Sequence, residues 1–214
     1  MENPKPPVLF LSPVDTQQRM AALLATGQRK LLGIVAPPGA GKSTLAQALQ
    51  AQYAGQSQYL PMDGFHLAQA ELERLGRAQR KGAPDTFDSA GFIALLQRIR
   101  QQTAGETVYA PDFNRALEEP IAGAIAITHD VPLVITEGNY LLLEEDGWAG
   151  ARALLDEVWY LDVDPALRHG RLLARHMQFG RTREQALQWM AQTDEPNALR
   201  IEASRHRADG VVTG

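Results

Sequence analysis

The stretch "GIVAPPGAGKST" (33–44) joins a short apolar run to a helix-like segment. Residues 36–43 have the spacing of a phosphate-binding loop, with Ala36 in a position where Gly is more common. Glycines let backbone N–H groups turn inward around phosphate oxygens, Lys42 can reach the β- and γ-phosphates, and Ser43 can offer its hydroxyl to Mg²⁺. The N-terminus of the following helix favours the same anion. The stretch therefore predicts a P-loop that binds a nucleoside triphosphate.

The order of elements around this loop supports that interpretation. An apolar strand is predicted over 30–36 and a helix over 43–55, which is the context that a P-loop requires. We expect ATP and Mg²⁺ as cofactors. The residues predicted to bind the nucleotide are Pro38, Gly39, Ala40, Gly41, Lys42, Ser43 and Thr44. Neither the Asn-Lys-x-Asp motif of GTPases nor the Leu-Ser-Gly-Gly-Gln stretch of transport ATPases occurs, which favours a kinase.

Strands and helices alternate along the rest of the chain. Further strands are predicted over 57–62, 131–138, 157–163 and 209–214, and further helices over 15–27, 65–76, 88–102, from Asp164 onward and 182–190. This alternation predicts an α/β fold of the P-loop NTPase type, in which a central, mostly parallel sheet lies between two helical layers. We expect one domain over 1–214. Residues 1–28 form an N-terminal extension with one helix, and its first 13 residues, rich in proline, are predicted to be flexible.

Composition restricts the classes of partner. The net charge is −4 over 214 residues, so no overall positive charge favours nucleic acid. No apolar run has the length of a membrane span, no signal peptide is recognised at the N-terminus, and cysteine is absent. We therefore expect a cytoplasmic protein without nucleic-acid or membrane partners. Its oligomeric state is not specified by the sequence.

Six stretches in order resemble one group of P-loop kinases. They are "APPGAGKST", "MDGFH", "KGAPDTFD", "YAPDFNR", "EGNYLLL" and "LDVDPALRHGRLLARH". Together they resemble the phosphoribulokinase/uridine kinase group, nearest the nucleoside/nucleotide kinase-like branch that is often labelled fructose transport system kinase. Bacterial pantothenate kinase is more distantly similar. The resemblance extends from about residue 33 to the C-terminus.

The resemblance implies roles for two carboxylates. Asp63 matches the acidic residue that accepts the proton of the acceptor hydroxyl, although Asp63-Gly64 by itself is also a common turn sequence. Glu137, at the end of the strand in "LVITEG", is expected near the P-loop at the carboxyl edge of the sheet, where it would orient Mg²⁺ and contact substrate. A structural pair between this glutamate and a lysine is the alternative.

A basic stretch follows the helix start at Asp164. Between residues 168 and 183 there are five arginines and no carboxylate. Matching arginines in the related kinases imply a mobile lid over about 168–183, with Arg171 and Arg175 on the transferring phosphoryl group. The alternative is a solvated basic helix face. The other histidines, among them His176, show no metal-ligand spacing, and we assign them no role.

The remaining matches imply an acceptor site. Its expected substrate-binding residues are His66, Asp85, Phe87, Tyr109 and Arg115. Without the resemblance the last four would be ordinary loop residues. His66 could orient Asp63 or an acceptor oxygen, and its alternative is a satisfied group that supports the site. Uridine kinases carry a histidine between the tyrosine and the arginine, whereas residues 110–114 here are "APDFN". A sugar or another alcohol is therefore at least as plausible an acceptor as a pyrimidine nucleoside.

These observations predict an ATP-dependent kinase that phosphorylates a hydroxyl of a small metabolite, with Asp63, Lys42, Arg171 and Arg175 as its catalytic residues. Two alternatives stay open. One is a nucleotide-binding regulatory or switch ATPase without an acceptor. The other is a nucleotide kinase, against which the lack of an obvious second phosphate-binding motif argues mildly.

Overall fold

The computed structural model describes residues 9–214. Its strands are β1 (Leu9–Leu11), β2 (Lys30–Val35), β3 (Ser57–Pro61), β4 (Thr107–Asn114), β5 (Glu119–Thr128), β6 (Leu133–Glu137), β7 (Glu157–Asp162) and β8 (Gly210–Thr213). Its α-helices are α1 (Pro13–Leu24), α2 (Lys42–Gln52), α3 (Gln69–Arg74), α4 (Ser89–Gln101), α5 (Pro165–Gln178), α6 (Arg183–Trp189) and α7 (Glu195–Ala203). No helix among these residues has the length and apolar character needed to cross a membrane.

Six strands form one parallel sheet in the order β1-β8-β7-β2-β6-β3. The predicted parallel sheet is confirmed. The register pairs Ile34 of β2 and Pro61 of β3 with the same residue of β6, Glu137. The segments that follow these three strands therefore start side by side at the carboxyl edge of the sheet, which is where open α/β sheets bind ligands.

Both faces of the sheet are covered, as side-chain alternation along β2 shows. Leu32 and Ile34 are fully buried in a cluster that includes side chains of α1 and α2. Leu31 and Val35 are fully buried in a second cluster with residues of α4 and α7. Successive strand residues point to opposite faces, so these apolar runs need a helical layer on each side. The three-layer architecture is confirmed.

Two predicted helix starts have the expected caps. The Asp164 side chain accepts a hydrogen bond from the Leu167 N–H at the start of α5, and a proline follows it in the first turn. Thr182 and Gln185 form a reciprocal capping box at the start of α6. These short-range signals determine where α5 and α6 begin.

The N-terminal prediction needs a correction where the structure describes it. Residues 9–11, expected to be flexible, form strand β1 and pair with β8. The pairing is close because Gly210 has no side chain, and a Cβ there would come within 2.5 Å of the Leu11 side chain. Residues 1–8 of the predicted flexible segment lie outside the described residues.

The helix predicted over 65–76 is shorter than expected. A 3₁₀ turn over Met62–Phe65 comes first, and α3 begins only at Gln69. Between them the backbone extends, because the Leu67 N–H donates to the Thr86 carbonyl at 2.9 Å. Tertiary pairing replaces helical hydrogen bonds in this segment.

A further element was not predicted at all. Strands β4 and β5 form a separate antiparallel hairpin that contains most of the "YAPDFNR" stretch. At its turn, the Asn114 side chain accepts hydrogen bonds from the backbone N–H groups of Ala116 and Leu117. Prolines and a glycine within the strands conceal the alternation that would identify them. The hairpin forms one wall of the cavity described next.

Candidate active site

The P-loop connects β2 to α2 at the carboxyl edge of the sheet. Gly39 and Gly41 have φ values of 83° and 95°, which L side chains rarely adopt. A Cβ on Gly39 would also come within 2.9 Å of the Arg168 carbonyl oxygen. Gly41 is the N-cap of α2, so the free N–H groups of that helix begin where the motif predicts the phosphates.

Glu137 forms a buried polar cluster with the P-loop. Its Oε1 accepts hydrogen bonds from Ser43 Oγ at 3.0 Å and from the Tyr59 hydroxyl at 2.7 Å. Its Oε2 lies 4.0 Å from Lys42 Nζ. Glu137 therefore lies near the P-loop, as predicted, and it also makes the contact with a lysine that was the alternative. Tyr59 was not predicted, because nothing in the sequence marks a strand tyrosine as a partner of a residue 78 positions away.

Burial dominates the electrostatics of this cluster. It raises the pKa of Glu137, which the positive charge of Lys42 opposes. It also lowers the pKa of Lys42, which the negative charge of Glu137 opposes. The pKa of Tyr59 is raised by burial and by Glu137, so its hydroxyl remains a hydrogen-bond donor. The hydroxyl of Ser43 and the carboxylate of Glu137 are adjacent oxygen donors, the ligand type that Mg²⁺ prefers. These residues therefore fit the predicted metal ion.

A cavity of about 820 Å³ opens beside the P-loop. Seven predicted site residues line it: Pro38, Lys42, Asp63, His66, Phe87, Arg115 and Arg175. The structure therefore brings the P-loop lysine, the expected base Asp63 and two of the expected arginines, Arg115 and Arg175, to one space. Residues without a predicted role also line it, including Lys81, Phe113, Asn139, His176 and Arg181.

Asp63 lies on the 3₁₀ turn that follows β3, and its side chain is 20% exposed. It forms an ion pair with Arg115 from the turn of the β4–β5 hairpin. Burial by itself would raise the pKa of Asp63, but its interactions with His66, Arg115 and Lys42, in that order of size, lower it to about 2. Asp63 is consequently ionised at neutral pH and can accept a proton.

Gly64 determines how closely the hairpin approaches this turn. Its φ is not positive, and a Cβ there would overlap the Pro111 carbonyl of β4. The glycine therefore permits a close approach of protein backbone, which holds Arg115 within reach of Asp63.

His66 is held in one orientation. Its Nδ1 lies 2.8 Å from the Asp63 carbonyl oxygen, and its ring packs between Phe87 and Phe113 at centroid distances of 3.9 and 4.8 Å. Burial lowers the pKa of His66, which favours the neutral ring. Because a carbonyl can only accept, Nδ1 carries the proton and Nε2 is left as a hydrogen-bond acceptor.

The basic helix α5 approaches the P-loop through several arginines. Arg171 Nη1 donates to the Ala40 carbonyl at 3.4 Å, and Arg175 lines the cavity. Arg168 is 5% exposed and pairs with Glu195, so it joins α5 to α7. Arg183 is exposed on α6. The arginines between residues 168 and 183 therefore differ in their surroundings. Some contact the P-loop or line the cavity, and others pair within the protein or face solvent.

Nine predicted residues do not line the cavity. Six of them lie in the P-loop or contact it: Gly39, Ala40, Gly41, Ser43, Glu137 and Arg171. The other three have different surroundings. Asp85 forms ion pairs with Arg77 and Arg80. Tyr109 is 60% exposed on β4 and does not line the cavity, and Thr44 is exposed in the first turn of α2.

Comparison with known proteins gives a consistent set of relatives, although no family model matches the chain. Schizosaccharomyces pombe C227.14, named as a candidate uridine kinase, is 33% identical over 209 residues, covering 92% of this chain and 88% of that protein. Escherichia coli YggC, described as uncharacterized, is 34% identical over 190 residues, covering 86% and 78%.

Solved structures agree with these relatives. A candidate fructose transport system kinase from Silicibacter sp. TM1040 has a TM-score of 0.84 and 36% identity, covering 95% of this chain and 99% of that one. A possible uridine kinase from Bacillus stearothermophilus has a TM-score of 0.55 at 20% identity, covering 92% and 99%, and shares the fold.

Proposed function

The chain belongs to the phosphoribulokinase/uridine kinase group of P-loop kinases, and from this we propose that it transfers the γ-phosphate of ATP to a hydroxyl of a sugar, nucleoside or similar metabolite. The observation that carries the proposal is that the Asp63 carboxylate and the Lys42 ammonium line the same cavity beside the P-loop. A phosphate site and a potential proton acceptor thus share one space.

Asp63 would accept the proton of the attacking hydroxyl. With a pKa of about 2 it is ionised but weakly basic. Phosphoryl transfer passes through a loose transition state, in which the nucleophile loses its proton late. A weak base that orients the hydroxyl is sufficient for such a step. Arg115 contacts Oδ2 of Asp63, and the other carboxylate oxygen, Oδ1, would accept from the hydroxyl.

The phosphates of ATP would be bound by the P-loop amides and by Lys42. Ser43 and Glu137 would hold Mg²⁺, which neutralises phosphate charge when bound. Tyr59 would keep Glu137 in place, because the Tyr59 hydroxyl also donates to Glu137 Oε1 and would still do so if Ser43 turned toward the metal ion. Arg175 lines the cavity beside Lys42 and is available to stabilise charge on the transferred group, and Arg171 contacts the P-loop itself.

The acceptor side of the cavity supports a kinase over a regulatory switch. A switch that only hydrolyses ATP needs no space beyond the phosphates and one water. Here Phe113, Lys81 and the hairpin turn extend the cavity well beyond the P-loop. With a volume of about 820 Å³, it lies within the usual range of sites that bind small molecules.

The proposal is tested with a panel of acceptors in the presence of ATP and Mg²⁺, including fructose, ribose, pyrimidine nucleosides and pantothenate. We expect acceptor-dependent release of ADP together with a phosphorylated product identified by mass. Asp63→Asn should reduce turnover by about 10²- to 10⁴-fold and leave ATP binding nearly unchanged, because only the proton acceptor is lost. ADP release without any phosphorylated product across the panel would favour the switch, and undiminished turnover of Asp63→Asn would remove Asp63 from the mechanism.

A further inference from the structure

His176 has no part in the proposed mechanism, yet it lines the same cavity from α5. Its Nε2 lies 2.7 Å from Asp194 Oδ2, and its Nδ1 lies 2.8 Å from Arg181 Nη1. The imidazole ring therefore connects a carboxylate to a guanidinium. The His176 side chain is 12% exposed and that of Asp194 is 13% exposed.

The two contacts of the ring define its proton positions. An arginine can only donate, so His176 Nδ1 must accept from Arg181. The proton of the neutral ring then lies on Nε2 and is donated to Asp194. Asp194 thereby selects the tautomer in which Nδ1 is free to hold Arg181, in the way that carboxylates orient histidines in other sites.

The backbone places Asp194 at this contact through an unusual element. Residues Met190–Asp194 form a π-helix between α6 and α7, and Asp194 is its last residue. Such π turns are rare, and they occur frequently at functional sites. The π-helix follows α6, and its last residue places the Asp194 carboxylate beside the His176 ring on α5.

Arg181 itself is held on several sides. Its guanidinium carbon lies 4.2 Å from the centre of the Trp189 ring, and its backbone N–H donates to the His176 carbonyl at 3.2 Å. Among residues 9–214 no carboxylate forms an ion pair with Arg181. Arg181 lines the cavity that also contains Lys42 and Arg175, and none of the carboxylates in that lining is within ion-pair distance of it. A fixed guanidinium of this kind suits a phosphate, because little side-chain freedom is lost on binding.

We propose that His176 and Asp194 are positioning residues that orient Arg181 toward the phosphates of the bound nucleotide. Asp194 sets the tautomer of His176, His176 directs the guanidinium, and Trp189 supports its face. This inference rests on the proposed nucleotide site, but it does not depend on the identity of the acceptor or on phosphoryl transfer.

A double-mutant cycle on the full-length chain tests the proposal. Binding of a non-hydrolysable ATP analogue with Mg²⁺ is measured by calorimetry for the parent, His176→Leu, Arg181→Ala and the double variant. We expect Arg181→Ala to weaken binding by roughly 10- to 100-fold, the range for a hydrogen-bonded charge, and His176→Leu by a smaller factor. Because His176 acts through Arg181, its substitution should have no further effect once Arg181 is alanine. Additive losses would overturn the proposal.

Two further variants separate positioning from folding. His176→Gln keeps one donor and one acceptor, and we expect it to bind the analogue within about threefold of the parent; binding as weak as that of His176→Leu would contradict the proposal. His169→Leu is the matched control. His169 also lies on α5 and contacts a carboxylate, that of Glu195, but it does not line the cavity. We expect its affinity for the analogue to be unchanged.

A second ligand identifies the group that Arg181 recognises. Adenosine lacks phosphates, so its affinity should be equal for the parent and Arg181→Ala. An equal loss for adenosine and the analogue would show that Arg181 does not act on phosphate. A failure of the acceptor panel leaves these binding predictions intact, whereas additivity in the cycle leaves the kinase proposal intact. The two proposals therefore fail separately.

Discussion

The two halves of the candidate active site differ in how their charges are held. The phosphate half consists of Lys42, Ser43, Tyr59 and Glu137, and its charged side chains are only 12% and 3% exposed for Lys42 and Glu137. In the acceptor half, which we define as Asp63, His66, Lys81, Phe113 and Arg115, the central ion pair is 20% exposed at Asp63 and 41% exposed at Arg115.

This difference separates two tasks. Burial strengthens electrostatic interactions and restricts side-chain movement, which suits the triphosphate and metal that every member of a kinase family must bind. The acceptor half is built on a hairpin turn and a short 3₁₀ turn, and its ion pair is partly exposed to solvent. A site of this kind can change its specificity without disturbing the phosphate half.

The largest effect that would test this separation is expected from Glu137→Gln. The amide can still accept from Tyr59, but the negative charge opposite Lys42 is lost. We expect about 10- to 100-fold more Mg²⁺ to be needed for half-maximal binding of the ATP analogue, as for other groups that act on a metal through its ligands or waters. Calorimetric titrations at a series of Mg²⁺ concentrations measure this requirement.

Arg115→Ala is the matched variant in the acceptor half. It should leave the Mg²⁺ requirement unchanged, because Arg115 lies on the hairpin and contacts Asp63 rather than Glu137. If Arg115→Ala raised that requirement as strongly as Glu137→Gln, the two halves would not be independent.

A smaller effect is expected where the hairpin contacts the 3₁₀ turn. In Gly64→Ala the new methyl group overlaps the Pro111 carbonyl, so the backbone must move. We expect the free energy of unfolding to fall by about 1–3 kcal/mol, the usual cost of overpacking. Chemical denaturation measures this change.

Gly170→Ala on α5 is the control, because a Cβ at this position would have no neighbouring atom within 4 Å. It should stabilise the protein by up to about 1 kcal/mol through helix propensity, and a loss in both variants would show that packing against Pro111 is not the cause.

The smallest effect concerns the pH dependence of stability. The folded pKa of Asp63, about 2, lies below its ordinary value of 3.8. Its ionised form therefore stabilises the folded state above pH 3.8, and this contribution is lost as the pH falls toward 2. The difference in unfolding free energy between the parent and Asp63→Asn should be constant from pH 7 to about 5 and should shrink below pH 4. Urea titrations at fixed pH values measure it, and a constant difference down to pH 3 would mean that Asp63 has an ordinary pKa.

Much of the phosphate half could be predicted because its signals are local. The spacing of Gly39, Gly41, Lys42 and Ser43 specifies the loop within a few residues, and a strand and a helix on either side specify its context. Glu137 could be added because a strand end in a parallel sheet has a known location. Tyr59 could not, since its side chain is recognised only from its contact with Glu137.

In the acceptor half the sequence indicated residues without their arrangement. Both Arg115 and Asp85 were expected at the substrate. Arg115 lies on a hairpin turn and pairs with Asp63, whereas Asp85 pairs with Arg77 and Arg80. His176 had no distinguishing spacing, because its partners lie 5 and 18 residues further along the chain on a turn and a π-helix.

The sequence by itself therefore determined the P-loop, the parallel sheet and the position of Asp63 after a strand. These follow from backbone sterics, helix caps and apolar periodicity, which act over a few neighbouring residues. Only the tertiary structure decided that Arg115 pairs with Asp63, that Tyr59 supports Glu137 and that His176 and Asp194 hold Arg181. Those contacts depend on how separate elements pack, and packing is a property of the whole folded chain rather than of any short stretch.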